Sequence, residues 1–319
     1  MPKVIIYYLF QKSNTDFRAN NNKGERDFVK KSIFKGIGTA LITPFRDGKV
    51  DYHALNRLIE FQLRNNVDAV VVCGTTGESP VLSLAEQEGI IKYTVKIVSG
   101  KIPVIAGIGS NDYKKAIHLA EFAYNEGADG LLAVTPYYNK ATDEGIIKYY
   151  EGISKVSDGK VIAYNVPTRT GYCIRPELYG ILCDEGFICG IKEAKNDMAE
   201  AAKTFEICED RISIYSGNDN LLLPFMALGG DGCISVASNI IPREMKEIFT
   251  LYINGEKGES RKRFFDYLHL MNELFSVVNP VPVKRCAEIM GLCDGEIRLP
   301  LTRYEGDGME KLLIRYGII

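Results

Sequence analysis

The sequence is poor in the residues that build metal sites. It holds three histidines, His53, His118 and His269, and each falls in a stretch with helical spacing. Its eight cysteines include no C-x-x-C pair. Because zinc sites need clustered nitrogen, sulfur or carboxylate ligands, this pattern argues against a metal centre. Cysteines inside apolar runs such as VVVCG predict buried thiols instead of disulfides.

An excess of charge and a long hydrophobic run are also missing. Lysine and arginine total 39 against 41 acidic residues, and this balance gives no basis for nucleic-acid or membrane binding. No apolar run approaches the ~18 residues of a membrane span. The run VIIYYLF near the N-terminus is short for a secretion signal, and polar residues follow it. We therefore expect a cytoplasmic protein.

The chain divides into three parts. Residues 1–31 are mostly polar and aperiodic, and we expect an N-terminal extension outside the fold. Residues 32–253 alternate short apolar runs with amphipathic stretches. Residues 254–319 carry helical patterns interrupted by Asn279-Pro280 and Leu299-Pro300. They predict a C-terminal helical segment packed on the flank of the main fold.

Eight apolar runs rich in valine and isoleucine predict eight β-strands. The runs are 36–45, 68–74, 103–109, 130–136, 160–166, 188–194, 213–217 and 232–237. Spacing near 3.6 residues predicts intervening helices, and Ser83 with Glu86 fits a capping box. Strands alternating with helices imply a parallel sheet, and eight units favour a closed (β/α)8 TIM barrel with additional C-terminal helices. The alternative, an open doubly wound sheet, lacks a complete nucleotide fingerprint, because GIGSND at 107–112 has no third glycine.

Active sites of such barrels lie at the C-terminal ends of the strands. Lys192 ends the run that begins at Ile188, where burial lowers the pKa of an amine and lets it attack a ketone as a nucleophile. An ion pair with neighbouring Glu193 is the alternative. The candidate positions at these ends are Thr43, Thr75, Thr76, Glu78, Tyr137, Tyr138, Tyr164, Asn165, Arg169, Lys192, Glu193, Ser216, Gly217 and Ser235.

Three further features have a structural and a functional interpretation. The GTTGES segment at 74–79 fits a glycine-rich turn or a cradle for a carboxylate. Tyr164 fits a buried aromatic residue or a proton relay through a threonine hydroxyl. Arg169 fits a solvated loop residue or a carboxylate clamp.

Eight motifs occur in order over residues 34–304: GTTGES, VTPYYNK, AYNVPTRTG, GIKEA, SGND, GCISVASN, NPVPVK and RLPL. Together they resemble the dihydrodipicolinate synthase (4-hydroxy-tetrahydrodipicolinate synthase) family of the pyruvate-dependent class I aldolase superfamily. The resemblance implies a lyase of the diaminopimelate route to lysine. It would condense pyruvate with L-aspartate 4-semialdehyde to give 4-hydroxy-tetrahydrodipicolinate, with no metal or dissociable cofactor, as a homodimer or homotetramer.

The resemblance also implies residue roles. Lys192 forms an imine with pyruvate, and Tyr164 and Thr75 relay protons. Tyr138 completes the relay from a neighbouring subunit.

The same resemblance implies a set of substrate-binding residues. Thr76 holds the pyruvate carboxylate, and Arg169 receives the carboxylate of the semialdehyde. Gly217 and Ile234 line the site through backbone groups.

Two features depart from the family pattern. Lys195 stands where a small hydroxyl residue is usual, so it either depresses the pKa of Lys192 or points to solvent at the start of a helix. The second departure is in the cleft where sensitive members bind lysine. Leu84 and Gln87 replace frequent histidines there, and Lys115 replaces an acid. Because like charges repel, we predict weak or absent inhibition by lysine, which an inhibition assay tests.

Two other functions compete with this prediction. N-acetylneuraminate lyase or a 2-keto-3-deoxy sugar acid aldolase would share the barrel, the lysine and the tyrosine. Such enzymes bind polyhydroxylated acceptors, whereas Arg169 with NPVPVK and RLPL favours the synthase. A non-catalytic sensing barrel is a further alternative, but it would not need Lys192, Tyr164 and Arg169 together.

Overall fold

The structure is a computed structural model that describes residues 32–319. The extension predicted for residues 1–31 lies outside the described residues. Residues 32–319 contain ten strands. They are β1 Gly36–Ala40, β2 Phe45–Arg46, β3 Lys49–Val50, β4 Ala69–Val72, β5 Val104–Gly107, β6 Gly130–Val134, β7 Val161–Asn165, β8 Gly190–Glu193, β9 Ser213–Ser216 and β10 Gly232–Ser235.

The helices lie between and after these strands. In chain order they are α1 Tyr52–Arg64, α2 Leu84–Val98, α3 Tyr113–Asn125, α4 Asp143–Lys155, α5 Pro167–Thr170, α6 Pro176–Asp184, α7 Met198–Cys208, α8 Leu222–Ala227, α9 Pro242–Ile253, α10 Lys257–Glu273, α11 Val281–Ile289 and α12 Gly308–Arg315. The predicted capping box is confirmed, because the Ser83 hydroxyl accepts from Glu86 N and the Glu86 carboxylate accepts from Ser83 N.

Eight of the strands close into a parallel barrel in the order β1-β10-β9-β8-β7-β6-β5-β4. This confirms the predicted (β/α)8 architecture. The first strand is shorter than predicted and ends at Ala40. The chain then enters an antiparallel hairpin of β2 and β3, whose turn contains Asp47 and Gly48, both with positive φ. The apolar run to Phe45 therefore belongs to two strands.

Aromatic packing fills the N-terminal end of the barrel. Phe34, just before β1, stacks on Tyr215 with ring centroids 4.3 Å apart. The Tyr215 hydroxyl donates to the Phe34 carbonyl at 2.6 Å. A Cβ at Gly38 would come within 2.8 Å of Phe34, so glycine makes room for this plug. The opposite end of the barrel carries the side chains at the C-terminal ends of the strands.

The predicted C-terminal helices are present, and their buried apolar residues join the core of the barrel helices. Phe264 and Leu270 of α10, Val283 of α11 and Leu313 of α12 belong to that core. In residues 32–319 no helix is long and apolar enough to cross a membrane.

Candidate active site

Lys192 and Tyr164 are cross-strand neighbours on β8 and β7. The Lys192 Nζ lies 4.3 Å from the centroid of the Tyr164 ring. Both side chains are buried, and Lys192 is 5% exposed. Tyr164 belongs to the interior cluster of the barrel, together with Ile162 and Ile234. The barrel wall thus holds an amine and a phenol side by side near the C-terminal ends of two strands.

Glu193, the next residue, faces the outside of the barrel, because successive side chains alternate along a strand. Its carboxylate accepts from Asn165 Nδ2 at 3.0 and 3.1 Å, from the Tyr179 hydroxyl at 3.4 Å and from Lys195 N at 2.7 Å. Burial raises the pKa of Glu193 to about 7, against these hydrogen bonds. The Glu193 carboxylate therefore takes its hydrogen bonds from Asn165, Tyr179 and Lys195 N on the outer side of the barrel. The ion pair with Lys192 that the sequence left open is not among its contacts.

Lys195 is held at the start of α7. Its ammonium pairs with the Glu200 carboxylate, and Asp197 Oδ2 lies 3.4 Å away. The hydrogen bond to Glu200 raises the pKa of Lys195. Of the two alternatives for this residue, the structure favours the one at the start of the helix, with its charge balanced by carboxylates.

The GTTGES segment follows β4 and forms a turn. Glu78 N donates to the Thr75 carbonyl at 3.0 Å, and Glu78 itself has a φ of 57°. The Thr43 hydroxyl donates to the Gly77 carbonyl at 2.7 Å. Thr76 is buried in this turn and Thr75 is partly exposed. The turn places two adjacent hydroxyls at the rim of the barrel.

Asn279, between α10 and α11, joins two candidate binding residues. Its Nδ2 donates to Thr76 Oγ1 at 3.0 Å, and its backbone carbonyl accepts from Arg169 Nη2 at 3.2 Å. Arg169 is exposed on the short helix α5, whose last turn ends at Gly171 with a φ of 69°. Sequence reasoning missed Asn279, although the NPVPVK motif contains it.

Three further predicted residues are Gly217, Ile234 and Tyr138. Gly217 N donates to the Glu193 carbonyl at 2.7 Å, and a Cβ there would come within 2.7 Å of the Ala194 Cβ. Ile234 is buried in the barrel interior. Tyr138 is 91% exposed and has a φ of 71°. Within one chain, the structure does not bring Tyr138 into contact with the interior cluster.

Asp219 is a second residue that sequence reasoning missed. It follows β9, and its Oδ2 accepts from Val236 N at 3.1 Å and from Ala237 N at 3.0 Å. Burial raises the pKa of Asp219, and the positive charge of Lys192 acts in the opposite direction. The SGND motif was the only sequence signal for it.

The three histidines lie on helices, as predicted. His118 on α3 contacts Glu88 at 2.6 Å, and His269 on α10 lies 3.9 Å from Glu273. Among residues 32–319 there is no group of three or more histidine, cysteine, aspartate or glutamate side chains placed to hold a metal ion.

A closed (β/α)8 barrel with a buried lysine against a tyrosine at the strand ends defines a lyase of the class I aldolase type. The model of the Dihydrodipicolinate synthetase family matches residues 33–314. A 4-hydroxy-tetrahydrodipicolinate synthase of Clostridium tetani is 44% identical over 282 residues, which is 88% of this chain and 96% of that protein. The chain therefore belongs to the dihydrodipicolinate synthase family.

Solved structures agree in fold. Dihydrodipicolinate synthase from Aquifex aeolicus is 40% identical, with a TM-score of 0.88, over 89% of this chain and 99% of that one. The chloride-inhibited dihydrodipicolinate synthase from Acinetobacter baumannii, complexed with pyruvate, is 36% identical, with a TM-score of 0.87, over 90% of this chain and 100% of that one.

Proposed function

We propose that this chain condenses pyruvate with L-aspartate 4-semialdehyde and gives 4-hydroxy-tetrahydrodipicolinate, in the diaminopimelate route to lysine. The observation that carries the proposal is the buried Lys192 amine 4.3 Å from the Tyr164 ring centroid. Family membership and the pyruvate complex of the Acinetobacter baumannii relative support the same chemistry.

The reaction begins when the neutral Lys192 amine attacks C2 of pyruvate and water leaves, which gives a protonated imine. The imine withdraws electrons, so a methyl proton leaves and C3 becomes an enamine nucleophile. C3 then attacks the aldehyde carbon of the second substrate. The amino group of that substrate displaces Lys192 from C2, which closes the ring and returns the free lysine. One water is released overall, and the electrophilic activation comes from the imine itself.

Proton transfer is assigned to Tyr164 and Thr75. The Tyr164 ring contacts Lys192, and a phenol at this position can give a proton to the departing water and remove one later. Thr75 stands in the turn after β4, beside the buried Thr76. A relay through a threonine hydroxyl gives the phenol a route toward solvent.

The carboxylate groups of the two substrates are assigned to Thr76 and Arg169. Thr76 sits in a turn of backbone N–H groups, which suits a carboxylate. Arg169 lies at the rim, where its guanidinium has donors left for a second carboxylate. Gly217 and Ile234 contribute backbone groups, and the close approach at Gly217 excludes a larger side chain.

We also propose that Tyr138 acts in the site of a second copy. An aromatic side chain that is 91% exposed suits an interface better than solvent. The proposal requires at least a homodimer, and it includes a tetramer made of two such dimers. Buried cysteines without disulfide bonds in residues 32–319 support a cytoplasmic location.

A coupled assay tests the proposed substrates. Purified protein receives pyruvate with aspartate 4-semialdehyde in one arm and pyruvate with a polyhydroxylated sugar aldehyde in the other. The proposal expects turnover in the first arm and at most trace turnover in the second. Preferential turnover of the sugar aldehyde would instead support an N-acetylneuraminate lyase or sugar acid aldolase activity.

A further inference from the structure

One side chain of the C-terminal segment reaches a candidate substrate-binding residue across the barrel mouth. Asn279 is 203 positions from Thr76 in sequence, yet its Nδ2 donates to Thr76 Oγ1 at 3.0 Å in a buried contact. Within residues 32–319 the buried Oδ1 of the same side chain has no hydrogen-bond partner. The polar contact of the Asn279 side chain is therefore directed at the Thr76 hydroxyl.

This contact restricts the direction of the Thr76 O–H bond. A threonine hydroxyl has one proton and two lone pairs. When the oxygen accepts the amide N–H of Asn279, one lone pair is used and the hydroxyl proton turns away from the amide. The proton is then available to a carboxylate oxygen in the site, and hydrogen bonds to ionised acceptors are the stronger kind.

Asn279 also touches the second carboxylate receptor, but through its backbone. Arg169 Nη2 donates to the Asn279 carbonyl at 3.2 Å. Replacing the Asn279 side chain removes the donor to Thr76 and keeps the acceptor for Arg169. The two substrates are thus expected to respond differently to one substitution.

We propose that Asn279 is a positioning residue that orients the Thr76 hydroxyl toward the carboxylate of the keto acid. The proposal rests on the proposed function, because it takes Thr76 as the receptor of pyruvate. Asn279 acts through Thr76 and does not itself touch the reacting atoms. Its effect therefore falls on the binding of pyruvate more than on that of the semialdehyde.

The test is a double-mutant cycle of Asn279→Ala and Thr76→Val. The readout is the pyruvate concentration that gives half-maximal borohydride trapping on Lys192, which needs no second substrate. Asn279→Ala is expected to raise this concentration about tenfold, the scale of one lost hydrogen bond. In the Thr76→Val background the same change is expected to have less than about a twofold effect. The KM for the semialdehyde is expected to stay within about twofold of wild type.

Asn279→Asp is the second variant, with nearly the same shape as asparagine. Its carboxylate accepts the Thr76 proton and adds a negative charge near the substrate carboxylate. For Asn279→Asp, the pyruvate concentration that gives half-maximal trapping is expected to be about a hundredfold higher than for wild type. Asn279→Asp also provides the test if Asn279→Ala does not fold, which thermal melting by circular dichroism reveals.

The outcomes separate the two proposals. No adduct on Lys192 of the wild-type protein overturns the proposed function. If the wild type is trapped but both Asn279 variants need the same pyruvate concentration as wild type, only the role of Asn279 is overturned. Equal effects of Asn279→Ala with and without Thr76→Val, or equal rises for both substrates, likewise contradict a role through Thr76.

Discussion

Lys284 and Glu78 form a buried ion pair that joins the C-terminal helices to the GTTGES turn. The Lys284 Nζ lies 2.5 Å from Glu78 Oε1, and each side chain is 1% exposed. Arg298 N also donates to Glu78 Oε2 at 3.2 Å. The Phe45 ring lies 4.2 Å from Lys284 Nζ and 4.2 Å from Arg298 Cζ. The turn that carries Thr75 and Thr76 is thus anchored from outside the barrel.

Removing one partner of this pair is expected to be costly. Lys284→Met leaves the Glu78 carboxylate buried without its cation, and the free energy of unfolding should fall by about 3–5 kcal/mol. The double variant Glu78→Gln with Lys284→Met should recover much of that loss, since no buried charge remains. Urea unfolding of the wild type, Lys284→Met and the double variant measures these free energies of unfolding. A double variant as unstable as Lys284→Met would contradict the account.

Glu193 should make stability depend on pH. Burial raises its pKa from the ordinary value of 4.5 to about 7, so the folded state binds a proton that the unfolded state releases. The stability that the folded state gains by holding this proton on Glu193 is fully present below about pH 4.5. It is lost as pH rises through about 7. Glu193→Gln should therefore gain stability relative to wild type across this window, by up to about 3 kcal/mol. A constant difference between the two proteins from pH 4.5 to 8 would rule this out.

Tyr164 and Tyr215 are matched partners for a test of catalysis, because both are cross-strand neighbours of Lys192. Tyr164→Phe removes the proposed proton relay, so kcat should fall by about 10²–10⁴ with little change in the KM for pyruvate. Tyr215→Phe removes the hydrogen bond to the Phe34 carbonyl at the N-terminal end of the barrel. It should cost about 1 kcal/mol of stability and leave kcat near wild type. Similar kcat losses in both variants would argue against the relay.

Tyr138 allows a test of the shared site by mixing two inactive chains. Lys192→Ala and Tyr138→Phe are co-expressed in equal amounts with different tags. A hybrid dimer then holds one site with both an intact Lys192 and an intact Tyr138. Random pairing predicts about one quarter of the wild-type activity in the mixture. A mixture no more active than its separate parents would contradict a role for Tyr138 in the site of a second copy.

Much of the fold was accessible from sequence because it depends on local patterns. Most of the apolar runs have the length of a buried strand, and their ends predict the positions of candidate site residues such as Lys192 and Tyr164. The end of β1 was misplaced because the apolar residues continue to Phe45, while Asp47 and Gly48 turn the chain into a hairpin. Composition alone does not distinguish one long strand from a strand and a hairpin.

The contacts that support the site were not accessible in this way. Asn279 and Thr76 are 203 positions apart, and Lys284 and Glu78 are 206 positions apart. Their meeting depends on how the C-terminal segment packs over the barrel mouth, which no local period encodes. The use of Glu193 likewise depends on Tyr179 and Asn165, which approach from α6 and β7.

The proposed reaction depends on an imine between the Lys192 amine and pyruvate. Protein is incubated with pyruvate, reduced with borohydride, digested and mapped by mass spectrometry. The proposed mechanism predicts one reduced pyruvate on the peptide that contains Lys192, no such adduct in Lys192→Ala, and an unchanged adduct in Lys160→Ala, whose lysine directly precedes β7. An unmodified Lys192 in the wild-type protein, or an adduct mainly at another lysine, would contradict it.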